Sequence, residues 1–256
     1  MKIKKIKSCL LIFVSIIILF LIVNPFVGNP VSKILAERSV EEYVKENYKD
    51  MNLELEHPQY NFKFKIYNVT VKSKDSKDTS FTIDTDKFGN IKFDDYEYEV
   101  ANNFTTFRRL SSELNKKADE IIEGNMDYDF EFASFEFIED DNSNESLEKL
   151  KLDMELDIYN PPMPLEASVC IFTDDVTWKK ISEVALHLKK VIEDKGIPVE
   201  RYSVRIIPTS NKPEDGSSGA SWVNSLSVDQ FPAKMIDEDN LSQVMEQFEK
   251  HKEVMK

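Results

Sequence analysis

The chain has 256 residues, with 47 acidic against 33 basic side chains and two cysteines. The first 28 positions hold four lysines, no acid and 19 apolar residues, which leaves 29 basic against 47 acidic groups, a formal charge of −18, for the rest. So acidic a body is repelled by phosphate backbones and excludes a general nucleic-acid binder; Cys170, alone once Cys9 is assigned to the leading segment, excludes a disulfide scaffold; and the apolar and aromatic content excludes intrinsic disorder.

Lys2, Lys4, Lys5 and Lys7 precede an apolar run from Cys9 to Val23 broken only by Ser15. Those residues span about 22 Å as a helix, and continuing to Val27 about 28 Å, close to the roughly 30 Å hydrocarbon core of a bilayer. A cleavable signal ends in small residues at an A-x-A-like site. Phe26-Val27-Gly28 and Ile34-Leu35-Ala36 both fail that pattern at the upstream position. The reading is an uncleaved membrane anchor over residues 1–28, with a cleaved signal as the alternative. Basic flanks stay cytoplasmic, which places the body outside the cell membrane.

From Val31 to Tyr48 the apolar residues recur three or four apart, predicting an amphipathic helix started by Pro30. Period-two patterns follow at Leu53 and Leu55, from Phe62 through Val71, at Phe81 and Ile83, and from Ile91 to Tyr98, predicting an antiparallel sheet that with the helix makes a first domain over residues 29–102. Asp84 to Asp95 partly matches a calcium loop, with acids at positions 1 and 3 and Gly89 at position 6. Phe88, Lys92 and Asp95 at positions 5, 9 and 12 depart from it, so a hairpin turn with Gly89 and Asn90 at positive φ is the preferred reading.

A second domain, residues 103–256, opens with a helix from Phe104 to Glu123 stopped by Gly124. Strands are predicted at Tyr128 to Ile138, Leu150 to Tyr159 and Leu165 to Phe172. A helix from Trp178 to Ile192 is capped by Gly196, strands follow at Val199 to Ile207 and Trp222 to Val228, and a closing helix contains Leu241 and Phe248. The strand-helix-strand order around Trp178 implies a parallel pair joined by a crossover. The fold class is α+β.

The anchor followed by Asn29-Pro30-Val31, the block ending in Phe81-Thr82-Ile83-Asp84, then Gly89-Asn90-Ile91 and Asn103-Phe104-Thr105-Thr106-Phe107-Arg108-Arg109-Leu110 resemble the YfjL-like family of Firmicute membrane-anchored proteins over roughly the first 125 residues. The resemblance implies architecture and location, and supplies no activity and no functional residues. The first domain is also similar to PepSY-type modules, some of which restrain proteases.

Within the strand from Tyr128 to Ile138 the apolar alternation slips: Tyr128, Phe130 and Phe132 are out of phase with Phe135 and Phe137, predicting a β-bulge near Ala133 and Ser134. Paired with Leu150 to Tyr159 as a hairpin, the bulged strand sets Glu136 across from Lys151, Glu131 across from Glu155 and Asp129 across from Asp157. Like charges directly opposite destabilise a sheet. That face is therefore either solvated or meets a divalent cation or a basic partner, which makes Asp129, Glu131, Glu155 and Asp157 the candidate metal-site residues.

Nothing in the chain matches H-E-x-x-H or G-x-S-x-G, and no glycine-rich loop suits a phosphate. His57, His187 and His251 read as surface residues, Cys170 as a buried thiol, and Pro208 to Ser221 as a mobile polar loop. The sequence thus leads to a single-pass extracytoplasmic binding, sensing or interaction module with no catalytic residue and no cofactor. Its expected partners are the membrane, through the N-terminal helix, and an envelope protein. An envelope hydrolase without a recognisable motif and a PepSY-like restraint on a protease are the alternatives.

Overall fold

The computed structural model describes residue 14 and residues 27–139, 146–213, 219–236 and 239–254. The chain forms two units, Met1–Thr105 and Thr106–Lys256. The predicted anchor lies outside the described residues except for Val14 and Val27. No helix among the described residues is long and apolar enough to cross a membrane.

In the first unit, the Asn29 side chain accepts the Val31 N–H and Pro30 occupies the first turn, which starts α1 (Pro30–Asn47). Ser32, Ala36, Val40 and Val44, spaced by four, form its buried stripe. Val40 and Val44 pack on Val69, Val71, Phe81 and Ile83, the inward-pointing residues of an antiparallel sheet. That sheet is ordered β1 (Leu53–Leu55), β3 (Ile66–Ser73), β4 (Ser80–Thr85), β5 (Ile91–Asp94), with β2 (Gln59–Asn61) also paired to β3.

The expected strand through Phe62 and Phe64 is instead a hairpin turn. Asn61 Oδ1 accepts the Lys63 and Phe64 N–H groups, Lys65 takes φ 57°, and β2 folds back on β3 with Asn61 opposite Ile66. The strand expected to continue through Tyr96 and Tyr98 ends at Asp94, whose carboxylate accepts the Tyr96 N–H before a π-helical turn at Glu97–Ala101. Both misreadings have one cause: an Asn or Asp side chain that captures backbone N–H groups bends a chain whose apolar alternation continues past the bend.

α2 (Phe104–Ala118), which begins just before the division between the units, runs on in the second unit through a π-helical turn, Asp119–Glu123. A sheet ordered β6 (Asp129–Phe137), β7 (Leu165–Phe172), β8 (Val199–Ile207), β9 (Leu226–Pro232) follows. β7 and β8 are parallel and joined through α3 (Trp178–Asp194), as the sequence order required; the outer pairs are antiparallel. One face of this sheet, together with α2, α3 and α4 (Leu241–Val254), encloses the larger core, which includes Leu110, Phe135, Val169, Leu188, Val204 and Phe231.

The hairpin between Tyr128–Ile138 and Leu150–Tyr159 does not form. β6 pairs with β7, and residues 150–159 contain no strand. Asp153 at φ 61° and the bond from Met154 N to Lys151 O break the extended run, and Pro161, Pro162 and Pro164 follow. Leu150 and Ile158 are nevertheless buried, with Met154 and Leu156 packed against the same core. Their alternation records burial without strand pairing. The bulge in β6 is real but lies between Phe130 and Phe132 rather than at Ala133 and Ser134.

Candidate functional site

The face of the second sheet turned away from the helices carries polar side chains on each strand. At one end, Cys170, Phe172, Ile207 and Ala220 make a small apolar cluster beneath the connection from β8 to β9. Burial pushes the Cys170 thiol up to about 12, Arg205 opposing that rise and Glu131 adding to it, so it stays protonated at neutral pH. Beyond that cluster lies a groove of about 630 Å³, lined among others by Phe132, Glu136, Glu166, Arg205, Trp222 and Asp229.

Its composition follows from strand alternation. Leu165, Ala167 and Val169 belong to the core, so Glu166 and Ser168 belong to the opposite face; on β8, Tyr202, Val204 and Ile206 do the same to Ser203 and Arg205. Glu136 on β6 stands directly across from Glu166 on β7. Two carboxylates in that relation repel, each pair of this kind costing a few tenths to about 1 kcal/mol. The hydroxyls around them offset part of this: Ser134 Oγ donates to Glu136 at 3.1 Å, while Ser203 Oγ and, at 3.4 Å, Ser168 Oγ donate to Glu166. These are neutral donors, and the negative charge remains.

Across the groove the charges are balanced. The Arg205 guanidinium lies 4.0 Å from the Trp222 ring centre and 3.6 Å from Asp229 Oδ1. Lys252 Nζ donates to the Asp229 carbonyl and sits 3.3 Å from Glu249 Oε1, which accepts the Asp229 N–H at 2.8 Å. A register shift between Tyr202 and Val204 sets Gln230 at φ 55° with its N–H on Ser203 Oγ at 2.7 Å. Trp222 is 55% and Phe132 40% exposed, so each offers an aromatic surface beside the polar floor.

The four acids singled out from the sequence are not brought face to face. Lys212 Nζ donates to both Asp129 oxygens, at 2.6 and 2.7 Å, and Glu131 accepts the Gly219 and Ala220 N–H groups, each at 3.2 Å. Asn211 Nδ2 adds bonds to the Ser221 and Val223 carbonyls. Asp129 and Glu131 thus hold the β8–β9 connection, whose described part is pinned rather than the loose loop its composition suggested. Asp157 accepts the Tyr159 N–H at 3.0 Å, and Glu155 lies in the same irregular stretch. Among the described residues, no group of three or more His, Cys, Asp or Glu side chains is placed to hold a metal ion.

In the first unit, the suspected calcium loop is a hairpin turn. Asp86 accepts from the Asn90 amide and from the Phe88 and Asn90 N–H groups, with Lys92 3.1 Å away, and these partners, the Asn90 side chain foremost, hold its carboxyl well below the usual range. Gly89 takes φ 85°; Asn90, expected to share the left-handed conformation, does not. His57 contacts Glu37 at 3.3 Å, His187 faces the Tyr128 hydroxyl at 3.4 Å and His251 the Gln247 carbonyl at 2.9 Å.

The expected pairing sets Glu136 opposite Lys151, whereas the structure sets it opposite Glu166 and brings Arg205 and Trp222 to the same groove. The signal that could have found them is the alternation of β7 and β8, where a serine or charged residue at every second position of a central strand marks an uncovered face.

A family model described as the YfjL-like, N-terminal domain matches residues 2–95, and one described as the YfjL-like C-terminal domain matches residues 113–246. No curated protein and no solved structure matches the chain.

Proposed function

We propose, starting from the fact that the chain belongs to the YfjL-like family, that it is a single-pass membrane protein whose extracytoplasmic body binds a partner of the cell envelope. The anchor rests on the lysine-flanked apolar run from Cys9 to Val23 and the orientation on its lysines. The binding role rests on the groove of the second unit.

One observation carries the reading: Glu136 and Glu166 stand opposite one another on an uncovered sheet face, with Phe132 and Trp222 beside them. A cationic side chain or amine placed between the carboxylates replaces their repulsion with two charge-assisted hydrogen bonds, and the aromatic rings cover its aliphatic stem. The groove therefore suits a Lys- or Arg-bearing segment of a protein partner. Binding, rather than hydrolysis, is favoured because no histidine or cysteine among the described residues lines the groove and its serines donate to carboxylates that are themselves in repulsion.

Photo-crosslinking from a benzoylphenylalanine at position 132 in intact membranes tests this. A captured partner that disappears when Glu136→Gln and Glu166→Gln are combined supports the reading. Absence of any captured partner, together with turnover in a hydrolase screen of the wild-type protein, would replace it with the hydrolase alternative.

A further inference from the structure

The first unit gathers exposed apolar side chains at one end. The turn between β2 and β3 presents Phe62 and Phe64, 60% and 64% exposed, and the turn between β4 and β5 presents Phe88 at 67%. Lys63 Nζ lies over the Phe64 ring at 5.5 Å and Lys87 Nζ over the Phe88 ring at 4.9 Å. The outer side of the chain entering α1 adds Val27, Val31 and Ile34, 58%, 63% and 49% exposed.

Contacts place these three elements together. A Cβ built on Gly28 would lie 2.7 Å from Tyr60 Cγ and 3.0 Å from the Tyr67 hydroxyl, and the Asn29 N–H donates to that hydroxyl at 2.8 Å. A Cβ built on Gly89 would lie 2.6 Å from Ser39 Oγ and 3.0 Å from the Leu35 carbonyl. Lys65 and Lys87, one from each turn, line a single small cavity with Gly28 and Asn29. The β2–β3 tip therefore meets the chain at Gly28 and Asn29, just beyond the apolar run that ends at Val23, while the β4–β5 tip packs further along α1 at Leu35 and Ser39 and shares the cavity at Gly28 through Lys87.

We propose that this end of the first unit is a membrane foot, with Phe62, Phe64 and Phe88 seated in the interface of an anionic bilayer and Lys63, Lys65 and Lys87 at the level of the lipid phosphates. The inference rests on the membrane-anchored reading above and deepens it by naming what the first unit does at the surface. Three large apolar side chains held on stiff hairpin turns are costly to expose to water, whereas aromatic rings and snorkelling lysines are the side chains that an interface accommodates. The charge has the matching sign, because lysines near an anionic surface are attracted to it and the attraction fades within a Debye length. The occupant is the membrane of the chain's own anchor: Val27 lies four residues beyond the apolar run, so a unit tethered there meets the bilayer with this end.

Spin labels test the foot in the full chain, held in nanodiscs of 70% phosphatidylcholine and 30% phosphatidylglycerol. A Cys9→Ser background leaves Cys170, which is fully buried and does not label. Lys63→Cys and Lys87→Cys report the tips. Lys74→Cys, just past the opposite end of β3 and about 23 Å along the strand, reports the solvated end. Labels at the tips should show a higher ratio of oxygen to nickel-chelate accessibility than the label at 74, which should be fully open to the water-soluble chelate. Phe62→Ser with Phe64→Ser and Phe88→Ser should return both tips to the profile of position 74, and pure phosphatidylcholine should make the tips shallower. Protein retained on the discs with all three labels equally aqueous would overturn the foot while leaving the anchor standing. Protein that leaves the discs in a salt wash would overturn the anchor itself. Equal depth in pure phosphatidylcholine would overturn the role given to the lysines.

Discussion

Thr85 ends β4 at zero exposure, and its Oγ1 has no hydrogen-bond partner among the described residues. A buried hydroxyl without a partner loses its water and gains nothing in return, a cost of about 1–3 kcal/mol. Thr85→Val keeps the shape and removes the hydroxyl, so it should raise the stability of the first unit by about 1 kcal/mol, read as a higher urea midpoint by circular dichroism; a lower midpoint would mean that the hydroxyl is satisfied in solution. Tyr48 makes the opposite case. Its hydroxyl donates to Asp94 Oδ2 at 2.7 Å and its ring packs on Phe81 and Tyr96. Burial first, then Asp94, pushes its phenol above the ordinary range, and burial raises Tyr43 and Tyr96 as well. A phenol raised in the folded state holds its proton more tightly there. The associated stability is complete below the unfolded value of about 10 and is lost as pH climbs from there toward the folded value. Tyr48→Phe should therefore lose less stability than wild type between about pH 9 and pH 11 in denaturant titrations, with Tyr43 and Tyr96 supplying the remainder. Equal losses would show that Tyr48 is not the group responsible.

At the scale of elements, short polar turns decide where the strands end and what they touch. Gly89 is the clearest example: its φ of 85° and its closeness to Ser39 and the Leu35 carbonyl leave no room for a side chain. Gly89→Ala should cost about 1–3 kcal/mol and weaken the docking of the β4–β5 turn on α1, visible as faster hydrogen exchange at Asp86 and Gly89, whose amides bond to Asn90 O and Asp86 O. Unchanged exchange would show that the turn holds its shape without α1. α3 was legible in the sequence because it has a stripe of apolar residues and a stop, Ile181, Val184 and Leu188 with Gly196 at φ 73° beyond its end. β7 and β8 were legible because alternation in a central strand is enforced on both sides. The stretch from Leu150 to Tyr159 was not, because its alternating residues reach the core without pairing, and period two alone does not separate those outcomes. A strand there would occupy the edge of β6 that β7 takes. The repulsion argued for Glu131 with Glu155 and for Asp129 with Asp157 belongs instead to Glu136 with Glu166.

For the whole molecule, the charge that excluded nucleic acid acquires a distribution. Part of the acid is consumed internally, as Asp129 and Glu131 hold the β8–β9 connection and Asp86 shapes a turn. Part is left facing solvent at the groove, where Arg205 and Lys252 balance Asp229 and Glu249 but not Glu136 and Glu166. The lysines of the first unit's tips gather at the end of that unit from which the apolar run departs. On the reading proposed above, one molecule carries an end that meets a lipid surface and a groove that takes a cation. The groove was only partly legible: a like-charge pair on one strand face was expected, but which two glutamates form it depends on the strand order, and the strand order on long-range pairing that local patterning does not encode.

The groove is tested most directly by titrating the full chain, in a Trp178→Phe background so that Trp222 is the remaining indole, with a pentalysine peptide while following indole emission. Binding at Glu136 and Glu166 predicts a saturable change that weakens with added salt, is lost when Glu136→Gln and Glu166→Gln are combined, and survives Glu42→Gln with Glu46→Gln on α1. A flat titration, or a response that the groove pair and the α1 pair reduce equally, would contradict it.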